Sequence, residues 1–273
     1  MGNFTSSSGI PISVEPFLSL GTAPQEIEMM ACGENSVLII NSSNTVEIRN
    51  FDGTSIIKPM NLKPSCCCAT HSGGWIIGFT CGHLSEFDAS LNLIVSYRTP
   101  GEHKAHDGSV LQVSENSDYR EGNKCHLISL GSDNTLKLWG PNGHFYYLYQ
   151  SKYQLTSVCS SPFFTFLTDD HCQIHIINVD TLNRSTYTLP SSVRSIEPLG
   201  EGFSGLAILE NNTVCVLSVS DIITTFQFLN MPDGVKLMPL VVEEQTGLIT
   251  YAVLDKTRNL TLRALEKVIF EAG

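Results

Sequence analysis

The chain has 273 residues, of which 42% are hydrophobic and 16% charged, with 27 acidic against 16 basic side chains and a formal net charge of −11. That length buries a sizeable core, and the lack of any periodic Leu/Glu/Lys-rich stretch points to an all-β domain without long helices. No run of Lys or Arg exceeds one residue, which excludes the basic stripe that nucleic acid or an anionic membrane surface requires.

Taken in chain order, residues 1–20 read as a flexible N-terminal segment. Met1-Gly2-Asn3-Phe4-Thr5-Ser6 fits the N-myristoylation pattern, with Gly2 exposed after removal of Met1 and Ser6 at the favoured hydroxyl position. One such chain gives only marginal membrane contact, so stable attachment would need a protein partner. Residues 11–18 can add a latch strand, restricted to a sheet edge by Pro11 and Pro16. The segment has neither the basic nor the apolar region of a secretory signal, so the nine cysteines are expected as reduced thiols of a cytoplasmic protein, a nuclear address also being open. The consecutive Cys66, Cys67 and Cys68 are expected as small core residues on alternate faces of a strand. Cys81-x-His83 lacks a second ligand pair, so no metal is expected. No apolar run approaches the roughly 18 residues of a membrane span.

From residue 21 to 273 one pattern returns again and again. Its strongest copy is Gly131-Ser132-Asp133-Asn134-Thr135-Leu136-Lys137-Leu138-Trp139-Gly140, and weaker copies place Thr45, His83, Gln173, Thr213 and Asn259 in register with Thr135. The anchors 45, 83, 135, 173, 213 and 259 differ by 38, 52, 38, 40 and 46 residues. A period of roughly 40–45 residues with about four strands per unit is the signature of a β-propeller. In the third unit, residues 109–113 supply a first strand, 125–130 a second, 136–139 a third and 145–149 a fourth. Asn142-Gly143 allows the tight reversal before the last, because both residues tolerate positive φ. Residues 114–124 read as a hydrophilic loop inside this unit.

The third unit resembles the WD40-repeat family specifically. It has His106 before its first strand, Ser129 in its second, Asp133 in the following turn and Trp139 where that family places its tryptophan. The resemblance implies that these four form a buried hydrogen-bonded chain that ties the unit together. The other five units carry Arg49, Phe87, Ile177, Leu217 and Arg263 at the tryptophan position, so one unit is strong and five are degenerate. Six four-stranded blades are expected. They form either a closed six-bladed ring or an open ring completed by a blade from elsewhere, with residues 267–270 as the last outer strand.

The sequence offers no catalytic motif: no nucleophile elbow, His-Glu-x-x-His, phosphate loop or calcium loop. Asp169-Asp170-His171 is expected in a turn, where Asp serves local hydrogen bonding. The function expected is therefore a non-catalytic scaffold that holds protein partners in a complex, without cofactor. The alternatives are an adaptor that recognises a peptide or ubiquitin-type ligand on the propeller face, and a propeller hydrolase. Phe145, Tyr146, Tyr147 and Tyr149 on the predicted outer strand are candidate interface residues, with half of them inward by strand alternation.

Overall fold

The computed structural model describes residues 26–116, 125–161, 163–199, 204–211, 213–219, 224–230, 236–243, 248–254 and 260–265. Within them the chain folds as a succession of antiparallel sheets, each built from consecutive strands. The first sheet is β1 (Ile27–Cys32), β2 (Ser36–Asn41), β3 (Thr45–Asn50) and β4 (Ser55–Pro59). The second is β5 (Pro64–Ala69), β6 (Trp75–Phe79), β7 (Leu84–Phe87) and β8 (Leu93–Tyr97). The third is β9 (Val110–Glu115), β10 (Leu127–Gly131), β11 (Thr135–Trp139) and β12 (Phe145–Gln150). The fourth is β13 (Leu155–Ser160), β14 (Phe164–Asp169), β15 (Gln173–Asn178) and β16 (Arg184–Thr188). β17 (Val193–Leu199), β18 (Ser204–Leu209), β19 (Thr213–Val219) and β20 (Thr224–Asn230) make the fifth, and β21 (Lys236–Glu243), β22 (Leu248–Leu254) and β23 (Leu260–Leu265) the sixth.

The sequence register is written into the backbone. The residue before each of the first four anchors sits in the left-handed region: Asn44 at φ 59°, Gly82 at 86°, Asn134 at 59° and Cys172 at 59°. Asn44, Gly82 and Asn134 also return their N–H to the carbonyl three residues back, at 3.0, 3.0 and 3.2 Å. Gly and Asn adopt positive φ at little cost, and with Cys172 they carry the same turn from second to third strand in each of the first four sheets.

The core lies between sheets, not inside any one of them. Leu38, Ile40, Val46 and Ile48 of the first sheet meet Trp75, Ile77 and Phe79 of the second. Ile76, Leu84 and Tyr97 on the opposite face of the second sheet meet Val110, Val113, Leu127 and Trp139 of the third. Ile128, Leu130, Leu136 and Leu138 then meet Leu155, Val158, Leu167 and Ile177, and Phe166, Ile174 and Ile176 meet Val193, Ile196 and Leu209. The first strands β1, β5, β9, β13 and β17 follow one another in contact. Side-chain hydrogen bonds reinforce that succession. Ser65 Oγ donates to Val110 O at 2.6 Å, while the Gln112 amide gives to Val158 O at 2.7 Å and receives from Val158 N at 3.1 Å.

Several boundaries differ from the sequence expectation. Strand β9 extends to Glu115, because Ser114 and Glu115 pair with Ile128 and Leu127, so the expected loop begins later. The reversal after β11 is a short 3-10 turn over Pro141–Gly143 with Asn142 at φ 58° and Gly143 at 76°. Asp169 is the last residue of β14 and not a turn residue. Five sheets have four described strands and the sixth has three. Gly2, the latch segment 11–18, residues 117–124 and the outer strand at 267–270 lie outside the described residues.

Candidate functional site

The densest polar constellation sits in the third sheet, at the seam with the second. His106 arrives on the connection between β8 and β9, Ser129 is in the middle of β10, Asp133 is in the β10–β11 turn and Trp139 closes β11. The structure brings all four into one chain. Trp139 Nε1–H donates to Ser129 Oγ at 2.8 Å, and Ser129 Oγ lies 2.7 Å from His106 Nε2. His106 Nδ1 lies 3.2 Å from Asp133 Oδ1, and the second carboxylate oxygen accepts the Asp107 N–H at 2.9 Å. Because the indole can only donate, the Ser129 hydroxyl is free to give its own proton to Nε2. The ring hydrogen then belongs on Nδ1, facing the carboxylate.

Thr135, the repeat anchor, completes the chain in a role that sequence reasoning missed. Its hydroxyl donates to Asp133 Oδ1 at 2.6 Å and lies 2.8 Å from His106 Nδ1. Gly131 is required by the same geometry, since a Cβ there would collide with the His106 ring and the Asp133 carboxylate. Burial holds the His106 pKa below its ordinary value, against the pull of Asp133. Burial alone would raise the pKa of Asp133, but hydrogen bonds from His106 and Thr135 outweigh it and hold the carboxyl well below the usual range.

Asp133, His106 and Ser129 stand in the order of a hydrolytic triad, yet the arrangement cannot act as one. Ser129 is 0% exposed and its oxygen also holds the Trp139 indole, so no acyl carbon can approach it. A second buried chain occupies the fourth sheet, where Asp169 Oδ2 lies 3.1 Å from His175 Nε2 and His175 Nδ1 lies 2.9 Å from Thr186 Oγ1. Asp169 Oδ1 meanwhile caps the turn by accepting the N–H groups of His171 and Gln173 at 2.9 and 3.0 Å. Among the described residues, no group of three or more His, Cys, Asp or Glu side chains can hold a metal ion.

The connection 98–109 that delivers His106 is braced along its length. Lys137, buried in β11, donates from Nζ to Ala105 O at 2.6 Å and to Thr99 Oγ1 at 2.9 Å. Both Ala105 N–H and His106 N–H donate to Gly82 O at 3.0 Å. Burial lowers the Lys137 pKa, while Asp133 and other carboxylates raise it. The tip, with Glu102 and His103, is exposed. The periodic pattern makes Lys137 look like a solvent-facing residue of a half-buried strand, so it carried no signal of this role.

The aromatic strand β12 is the outer strand of the third sheet. Phe145 stacks edge-on against Trp139 at 5.6 Å between centroids. Tyr149 is 7% exposed, and Tyr146 and Tyr147 pack on the cluster between the third and fourth sheets. Phe145, Tyr146 and Tyr147 stay half-buried, so each keeps some surface towards solvent. The apolar side chains that do reach solvent on outer strands are Ile57 on β4 at 59% exposure, Leu93 and Ile94 on β8 at 60% and 54%, and Leu148 on β12 at 44%.

A chain in the solved structure of the mitotic checkpoint complex superposes with a TM-score of 0.68 at 16% identity, covering 88% of this chain and 76% of that one. The fold is a β-propeller. No protein-family model and no curated protein matches the sequence. Chains of solved structures that resemble the propeller number 1406, so the architecture is too widely shared to select a function. Among the described residues no helix is long and apolar enough to cross a membrane.

Proposed function

We propose that this chain is a non-catalytic WD-repeat scaffold that mediates protein–protein contacts within a multiprotein complex. The observation that carries the reading is the exposure, among the described residues, of apolar side chains on the outer strands of successive blades. Ile57, Leu93 with Ile94, and Leu148 all lie on the outermost strands of three consecutive blades, an edge that can accept a partner. Strand β4 ends in Lys58-Pro59, residues that blunt an edge, whereas β8 has neither charge nor proline. The structural neighbour belongs to a multiprotein assembly, which suits the same role. The acidic surface disfavours nucleic acid as the partner, and the unbridged cysteines suit the cytoplasm. Acylation of Gly2 is a secondary proposal, read out directly by the intact mass of the protein from a eukaryotic host.

The deciding experiment is the paired substitution Leu93→Asp and Ile94→Asp. Partners recovered in fixed ratio with the unaltered protein are expected to be lost from the variant while its thermal midpoint is unchanged. Full retention of those partners would contradict the assignment to β8. The braced connection 98–109 favours a second reading, an adaptor that grips a peptide on the propeller face. In that case substitutions at Glu102 and His103, and not at β8, would release the ligand.

A further inference from the structure

The seam between the second and third blades is tied at two opposite rims. One is the His106–Lys137 rim described above. The other holds two carboxylate–histidine contacts that cross the seam in opposite senses. Glu115, at the end of β9 in the third blade, reaches back to the β5–β6 turn, where its Oε2 accepts the His71 backbone N–H at 2.7 Å and lies 2.7 Å from His71 Nδ1. Glu86, on β7 of the second blade, reaches forward, and its Oε2 lies 3.7 Å from Nε2 of His126, just before β10.

We propose that Glu86 and His126 form a proton-operated clasp between the second and third blades, with Glu115 and the His71 backbone as its fixed counterpart. The two contacts differ in what a proton can do to them. A backbone N–H does not titrate, so Glu115 stays anchored whatever the charge on the His71 ring. Glu86 has no such backbone donor among the described contacts. It is held by the Tyr97 hydroxyl at 2.7 Å, so its hold across the seam depends on the charge of His126.

The main chain around His126 is fixed, which confines any change to the side chain. Its N–H donates to Trp139 O at 2.7 Å and its carbonyl accepts the Asn116 N–H at 2.9 Å. The side chains of Glu86 and His126 are only 11% and 16% exposed, so solvent screens the pair weakly. The described ionisable groups around it are Glu86 on β7, Tyr97 on β8, Glu115 on β9, Cys68 on β5 and His71. Burial pushes the Cys68 thiol and the Tyr97 hydroxyl upward, so both stay protonated and neutral through the physiological range. Among the described groups, the two glutamates supply the field. The nearby Glu86 carboxylate raises the His126 pKa against the opposing effect of burial, and His126 likewise lowers that of Glu86.

The signs define a window. A raised histidine contributes its full stabilisation below its ordinary value of 6.5 and loses it as the pH climbs through the raised midpoint. A depressed glutamate contributes above its ordinary 4.5 and loses its share as the pH falls through the depressed midpoint. The clasp is closed between those limits and loosens towards alkaline pH, while the rim at His106 behaves in the opposite sense.

The test is a carbon-13 histidine NMR titration of the whole chain, unaltered and as Glu86→Gln. His126 is expected to titrate above 6.5 in the unaltered protein, and its midpoint is expected to fall in the variant. A double-mutant cycle of thermal midpoints with Glu86→Gln and His126→Asn should show coupling at about pH 6 that shrinks severalfold by about pH 8.5. A His126 midpoint at or below its ordinary value in the unaltered protein would overturn the clasp without any variant. So would a cycle whose coupling is the same at both pH values.

Discussion

At the scale of single residues, the third blade is held by a few atoms with no slack. Trp139 is 0% exposed and bonds Ser129 while its ring contacts Tyr97 and Phe145, each at 5.6 Å. Trp139→Ala is expected to lower unfolding free energy by about 3–5 kcal/mol, measured by denaturant unfolding. Ser129→Ala removes a smaller volume but leaves the indole N–H and His106 Nε2 unpaired in the interior, for a loss of about 1–3 kcal/mol. His106 adds a pH signature. Its depressed pKa means that its stabilisation is complete above its ordinary 6.5 and drains away as the pH falls, because the unfolded chain then takes up a proton that the folded one refuses. The difference in thermal midpoint between the unaltered protein and His106→Gln should therefore shrink on acidification. A difference that widened would mean that the ring is charged in the folded state.

At the scale of elements, the blades are joined by polar side chains that reach across seams. Gln112→Ala removes the amide that bonds both N–H and C=O of Val158, and a loss of about 1–3 kcal/mol is expected from the backbone groups left bare. Lys137→Met should leave the sheet paired while the amides of residues 99–105 exchange faster with deuterated solvent. Unchanged exchange there would show that the tip is held without the ammonium. These seams mark the limit of what the sequence discloses. The turn before Thr135 and the residues His106, Ser129, Asp133 and Trp139 were legible because each requires a particular side chain at a particular place. Glu86, Gln112, Lys137 and His126 were not, because each occupies an ordinary polar position on or beside a strand and finds its partner outside its own sheet. Sequence period reports which face of a strand a residue occupies, but not that both faces are covered. On β12 the period foretold that some aromatics turn inward, but not that the buried one would be Tyr149, with Phe145, Tyr146 and Tyr147 half-buried.

At the scale of the whole molecule, the propeller is a succession of sheets whose described cores lie in the seams between neighbours, so each of the first five blades depends on the ones beside it. Among the described residues, His106, Ser129, Asp133, Asp169 and His175 are engaged in holding the blades, while Ile57, Leu93, Ile94 and Leu148 reach solvent on outer strands. A protein built this way is expected to work by being bound. The most direct test is native mass spectrometry of the full-length protein isolated gently from its source. The prediction is a salt-resistant heteromeric assembly with this chain and a partner in fixed integer ratio. A clean monomer at every salt concentration would contradict the scaffold role.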